Sequence, residues 1–207
     1  MMFRPSPNRW PVCIIALHWL MAVALLAMIG GGLAMTAAAE AAAETGNWEA
    51  RILGLPIFEA YQLHKSVGVV LWVLVAVRLL LRVVSRTPDL PASLTPIEAF
   101  AARAVQAGLY VLMFAMPITG WLVASTSQLG LPTHLFGLFI LPHAPIDPAT
   151  WEPISAMLHW LGAWALVALA SMHIAAGLKH QFIDKDDVMR AMLPRPAGSM
   201  RARKGAQ

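Results

Sequence analysis

The stretch "LHWLGAWALVALASMH", residues 158–173, decides the fold. Its interior is apolar except for Ser171, yet it carries His159 near one end and His173 at the other, fourteen residues apart. On an α-helix fourteen residues rise about 21 Å and turn about 1400°, which is about 40° short of four full turns. The two imidazoles therefore share nearly one face, at two depths of a segment about as thick as a bilayer core.

The rest of the chain belongs to the same environment. Of its 207 residues 58% are hydrophobic and 13% charged, and its mean hydropathy of +0.64 lies outside the range of a soluble domain. Four apolar stretches stand out, at residues 12–39, 63–84, 99–124 and 154–178. Each reaches the roughly 20 helical residues needed to cross a hydrocarbon core of about 30 Å. Continuous runs of this kind exclude a transmembrane barrel, whose strands alternate over short segments. The expectation is an all-α integral membrane four-helix bundle, one domain over residues 1–207. The first stretch, ending in "MTAAAEAAA", has the small residues of a signal-peptide cleavage site. Its apolar run exceeds the usual 7–15 or so residues of a signal core, so it is expected to stay as a span.

Charge sets the orientation. Arg4 and Arg9 precede the first span, Arg82, Arg86 and Arg103 flank the link between the second and third, and Lys179, Lys185, Arg190, Arg195, Arg201, Arg203 and Lys204 follow the fourth. The other side has Arg51 and Lys65 against Glu40, Glu44, Glu49, Glu59, Asp147 and Glu152. The positive-inside rule then puts both termini in the cytoplasm. The net charge of +4 is mostly this topology signal, and the basic tail calls for lipid or water, not nucleic acid. Cys13 is the only cysteine, so an intrachain disulfide, a multi-cysteine metal cluster and covalent haem attachment are all excluded.

The links are informative in places. Residues 37–60 form an Ala- and Glu-rich first outer loop, with Trp48 as an interfacial anchor. "SRTPDLPASLTP" reads as a turn leading into span three. In the long outer loop 125–153, "THLFGLFILP" is apolar enough to fold back over the bundle. Pro153 suits the first turn of span four. Pro117 and Gly120 suit a kink in span three or the close approach of a bulky group.

Four histidines lie within the spans: His18, His64, His159 and His173. Each taken singly is compatible with an interior histidine bonded to a carbonyl. Depth groups them. With the N-terminus inside, His18 and His173 fall in an inner layer and His64 and His159 in an outer one, about 20 Å apart in helix rise. Two imidazoles facing one another at one depth, twice, suit haem b, whose iron takes two axial nitrogens and whose flat apolar ring fits between helices. A zinc or copper site needs three or four clustered ligands, which neither layer offers. Arg78 lies fourteen residues after His64, on the same face at the inner layer. There it suits a haem propionate or a quinone oxygen, or else snorkels to the interface with Arg82. His180 competes with His173 but sits where span four leaves the membrane, and His134 and His143 are loop residues.

The strings "IALHWLM", "YQLHKSVGVVLWVLVAVRLLLRVVSRTPDLP", "GLYVLMFAMPITGW", "LFGLFILP" and "LHWLGAWALVALASMHIAAGLKHQFIDKDDVMRAMLP" together resemble the bacterial cytochrome b561 family from about His18 to Pro194. The resemblance implies a multi-pass cytochrome of the bacterial inner membrane. It implies two b haems, with His18, His64, His159 and His173 as the positions that hold the iron. It also implies electron transfer between the quinone pool, as ubiquinone, and a periplasmic one-electron donor or acceptor, superoxide oxidation being one activity described in the family. The chain departs from the family in its longer first outer loop, whose acidic rim disfavours an anionic substrate unless Lys65 and an apolar cup outweigh it. Two other readings stay open: a cytochrome b anchor subunit of a hydrogenase or dehydrogenase complex, and a proton-coupled transporter. The second lacks the inverted repeats and broken helices usual in that class.

Overall fold

A computed structural model of the chain describes residues 9–85 and 94–193. Four long helices dominate: α1 (Val12–Thr45), α2 (Ile57–Val84), α3 (Pro96–Thr126) and α4 (Pro148–Lys179). All four are long and apolar enough to cross a membrane. A π-helical turn, His180–Asp184, continues α4, and a short α5 (Val188–Met192) follows. Arg4, Arg86, Arg195, Arg201, Arg203 and Lys204, which entered the charge argument, lie outside the described residues.

The helices outrun the apolar stretches. α1 has 34 residues, about 51 Å of helix, because "AAAEAAAE" is as good a helix former as the apolar run before it. The expected first loop 37–60 is thus mostly helix. It narrows to a turn and a two-stranded hairpin, β1 (Arg51–Ile52) with β2 (Leu55–Pro56), before α2. Left-handed Gly46 ends α1, its N–H bonded to the Ala42 carbonyl. Met35, Ala42, Ile52, Ile57 and Ala60 pack beneath the hairpin as a small core of their own.

Thr95 starts α3 with a capping box: its hydroxyl accepts from the Glu98 N–H, and the Glu98 carboxylate accepts from the Thr95 N–H. α4 begins at Asp147, with Pro148 in the first turn, so Pro153 falls inside the helix and not at its start. "THLFGLFIL" forms a second hairpin, β3 (Thr133–Leu135) with β4 (Phe139–Leu141), that folds back onto α2. Gln62 donates to the Pro132 carbonyl and accepts from the His134 N–H, both at 2.9 Å. Ser66 accepts from the Phe136 N–H at 3.0 Å, and Lys65 Nζ donates to Thr133 Oγ1 at 3.2 Å. Both hairpins lie at one end of the bundle, called here the hairpin end.

At the other end, the termini end, Arg9 donates to the carbonyls of Arg190 and Leu193, and Trp19 Nε1 to that of Met192 at 2.7 Å. Between the two ends the helices expose Leu20, Val23, Leu26, Val77, Leu80, Val111, Trp160 and Trp164 on their outer faces, the surface a lipid would cover. Glycines bring α3 and α4 close: a Cβ on Gly108 would stand 2.7 Å from Leu169, and one on Gly162 the same distance from the Met116 sulfur. Nearer the hairpin end the same pair is joined by a fully buried hydroxyl contact, Thr126 to Ser155, at 2.9 Å.

Candidate functional site

Two contacts at equal spacing fix two levels in the antiparallel pair α1 and α2. Arg78 Nη2 on α2 lies 3.3 Å from His18 Nδ1 on α1. Fourteen residues further along α1 is Gly32, and fourteen back along α2 is His64; a Cβ on Gly32 would stand 3.5 Å from His64 Cε1. Helix α4 supplies both levels as well. The His173 ring faces that of His18 with centroids 6.0 Å apart and planes at 70°. His159 sits at the hairpin-end level, within electrostatic reach of His64 and directly against Gly120 of α3. All five residues singled out from sequence, His18, His64, His159, His173 and Arg78, thus come together in two layers. The structure brings His18 to His173 and leaves His180 apart.

The spacing of the His18 and His173 rings is compatible with two imidazoles that would hold one metal between them. Two imidazoles bound on opposite sides of one metal, each with a metal–nitrogen bond of about 2.0–2.1 Å, have ring centroids about 6.3 Å apart. The observed 6.0 Å separation is close to that.

Neighbouring groups set the tautomers. Thr119 Oγ1 donates its single proton to the Met116 carbonyl at 3.0 Å, so its oxygen, 3.0 Å from His159 Nδ1, accepts from that nitrogen. A proton on Nδ1 leaves the Nε2 lone pair of His159 for a metal. At the other layer a guanidinium only donates, so His18 accepts at Nδ1 in this arrangement. Ligation through His18 Nε2 needs the proton on Nδ1, and the two cannot coexist. A metal held through His18 Nε2 would therefore require Arg78 to donate elsewhere. The Arg78 Nε is buried with no partner among the described residues, while Nη1 donates to the Tyr110 hydroxyl at 2.9 Å. An unmet donor on a buried cation suits a carboxylate such as a propionate.

Some contributors escaped the sequence reading. Gly32 lies fourteen residues after His18, so the arithmetic used for the histidines would have found it. Thr119, a lone hydroxyl beside Pro117, left no comparable signal. The Gln62, Lys65 and Ser66 clamp depends on a hairpin about 70 residues away. His134 serves through its backbone, and His143 Nε2 is buried with no partner among the described residues. His180 Nδ1 lies 2.7 Å from Asp186 and 3.3 Å from Asp184, while Lys179 reaches Asp184 at 2.7 Å.

Comparison with known proteins gives one answer. The family described as prokaryotic cytochrome b561 matches residues 9–195. "Cytochrome b561 homolog 2" of Escherichia coli (strain K12) is 35% identical over 193 residues, covering 93% of this chain and 95% of that protein. "Probable superoxide oxidase CybB" of Yersinia pestis is 28% identical over 138 residues, covering 66% and 76%. With four membrane-length helices and a match over nearly its full length, the chain belongs to the prokaryotic cytochrome b561 family, as a multi-pass electron-transfer protein of the inner membrane with the b-type haem that the family implies.

Proposed function

We propose that the chain is a single four-span domain that holds two b haems and moves single electrons between a periplasmic donor and ubiquinone. His64 and His159 hold one haem at the hairpin end, and His18 and His173 hold the other at the termini end. Both termini lie in the cytoplasm, where Arg9, Arg82, Arg103, Lys179 and Arg190 gather against the acidic hairpin end. The observation that carries this reading is the pairing of histidines at two levels fourteen residues apart, with the His18 and His173 rings at 6.0 Å.

Bound haem b supplies a one-electron iron couple whose potential follows its ligands and surroundings. The residues of the chain prepare the sites. Thr119, its own proton donated to the Met116 carbonyl, keeps the proton of His159 on Nδ1 and so holds its ring in one orientation. Gly32 and Gly120 let the imidazoles lie against helix backbone. Arg78 would neutralise a carboxylate at the termini end, and the β3–β4 hairpin is clamped onto α2 beside His64 through Ser66.

Superoxide is the periplasmic donor class suggested by the name of the Yersinia relative. Lys65, adjacent to His64 and bonded to neutral Thr133, offers a cation at that rim. Glu40 and Glu44 on the last turns of α1, and Glu49 in the turn after it, oppose it at longer range. A reduced-minus-oxidised spectrum with a pyridine haemochrome assay on the purified protein tests the reading. Two b haems per chain are expected, with ubiquinone reduced when superoxide is generated. One haem or none, from haem-replete cells, would end the two-layer assignment.

A further inference from the structure

Arginines climb the α2–α3 pair toward the termini end. One turn beyond Arg78, Arg82 Nη2 donates to Gln106 Oε1 at 2.9 Å, and its guanidinium stands over the rings of Trp10 at 5.6 Å and Tyr110 at 5.7 Å. Arg103 lies about a turn further on, exposed near the start of α3. Leu79, Arg82, Arg103, Gln106, Ala107 and Tyr110 line one open groove between the two helices, about 350 Å³ in volume.

Among the described residues no carboxylate pairs with Arg82 or Arg103. Glu98, the acidic residue in the first turn of α3, is committed to Thr95 and to Lys179 at 3.2 Å. Gln106, Trp10 and Tyr110 orient Arg82 without cancelling its charge. The depth is also defined. Trp10 precedes the first residue of α1, and Leu80, Val83, Val84, Ile97 and Phe100 remain exposed on the same ends of α2 and α3. Two cations thus sit where an apolar shaft gives way to water, the level of lipid headgroups.

We propose that this groove is a binding site for an anionic phospholipid, whose phosphodiester lies between Arg82 and Arg103 and whose acyl chain runs over Leu79 and Ala107. Guanidinium donors favour phosphate oxygens, and basic pockets between helices at this depth select anionic headgroups. Free phosphate shares the headgroup chemistry but gains nothing from the apolar walls.

Native mass spectrometry of the full-length holoprotein in detergent, titrated with phosphatidylglycerol or phosphatidylcholine, tests the site. Wild type should retain phosphatidylglycerol in preference, and Arg103→Gln should weaken retention about fivefold, with Arg82→Gln adding a similar loss. Arg103→Gln is the decisive variant, because its exposed side chain has no packing role and the haem spectrum should stay unchanged. Equal retention of both lipids, an unchanged Arg103→Gln, or displacement of the lipid by millimolar inorganic phosphate would each overturn the proposal.

Discussion

Gly120 lies against the imidazole of His159, so close that a Cβ there would stand 3.1 Å from Cε1 and 3.5 Å from Nδ1. The equivalent approach of Gly32 to His64 is looser, at 3.5 Å. The two glycines therefore give a graded probe of ligand orientation.

Gly120→Ala requires the His159 ring to give by a few tenths of an ångström, which should disturb its contact with the Thr119 oxygen and the aim of Nε2. The expected outcome is loss of haem from the hairpin end, by about tenfold or more in affinity, as for other residues that orient a metal ligand. Gly32→Ala, an ordinary van der Waals contact, should keep both haems. Haem-to-protein ratios after dialysis compare the two, and equal loss from both variants would contradict the geometry.

Removing a ligand outright separates the layers. His159→Ala should lose the haem of the hairpin end and spare the other, and His173→Ala should do the reverse. Low-temperature spectra of the reduced variants check this, since the two proposed haem sites differ in surroundings. A variant that retained both haems with unchanged bands would refute the ligand assignment.

Acid stability has a local handle at the start of α4. The Thr150 hydroxyl, at 2.6 Å, and its backbone N–H, at 3.0 Å, hold the Asp147 carboxyl below its ordinary range. A carboxyl depressed by folding stabilises the fold fully above its unfolded value, and that contribution fades as pH falls toward the lower folded value. Wild type should lose stability over that acidic window more steeply than Thr150→Ala, while the two should run parallel at neutral pH and above. Melting temperatures in detergent between pH 3 and about 7 measure the difference, and identical slopes would remove Asp147 from the account.

The sequence by itself determined the number of spans and the grouping of the histidines, because both follow from two regular quantities. One is the length of apolar helix a bilayer demands, and the other is a fixed rise and turn per residue. The quoted stretch needed nothing else to put His159 and His173 on one face. Helix ends were less legible, since an alanine- and glutamate-rich tail is polar enough to read as loop and yet favours helix, and α1 runs on to Thr45. Only the tertiary structure decided which groups touch across helices: Thr119 on His159, Arg78 between His18 and Tyr110, and Gln62 on a hairpin 70 residues away. Those contacts depend on how each helix is rotated and how closely it packs. Helices that are apolar nearly all round carry no stripe that specifies rotation, so it is set by small residues and buried polar pairs meeting in space.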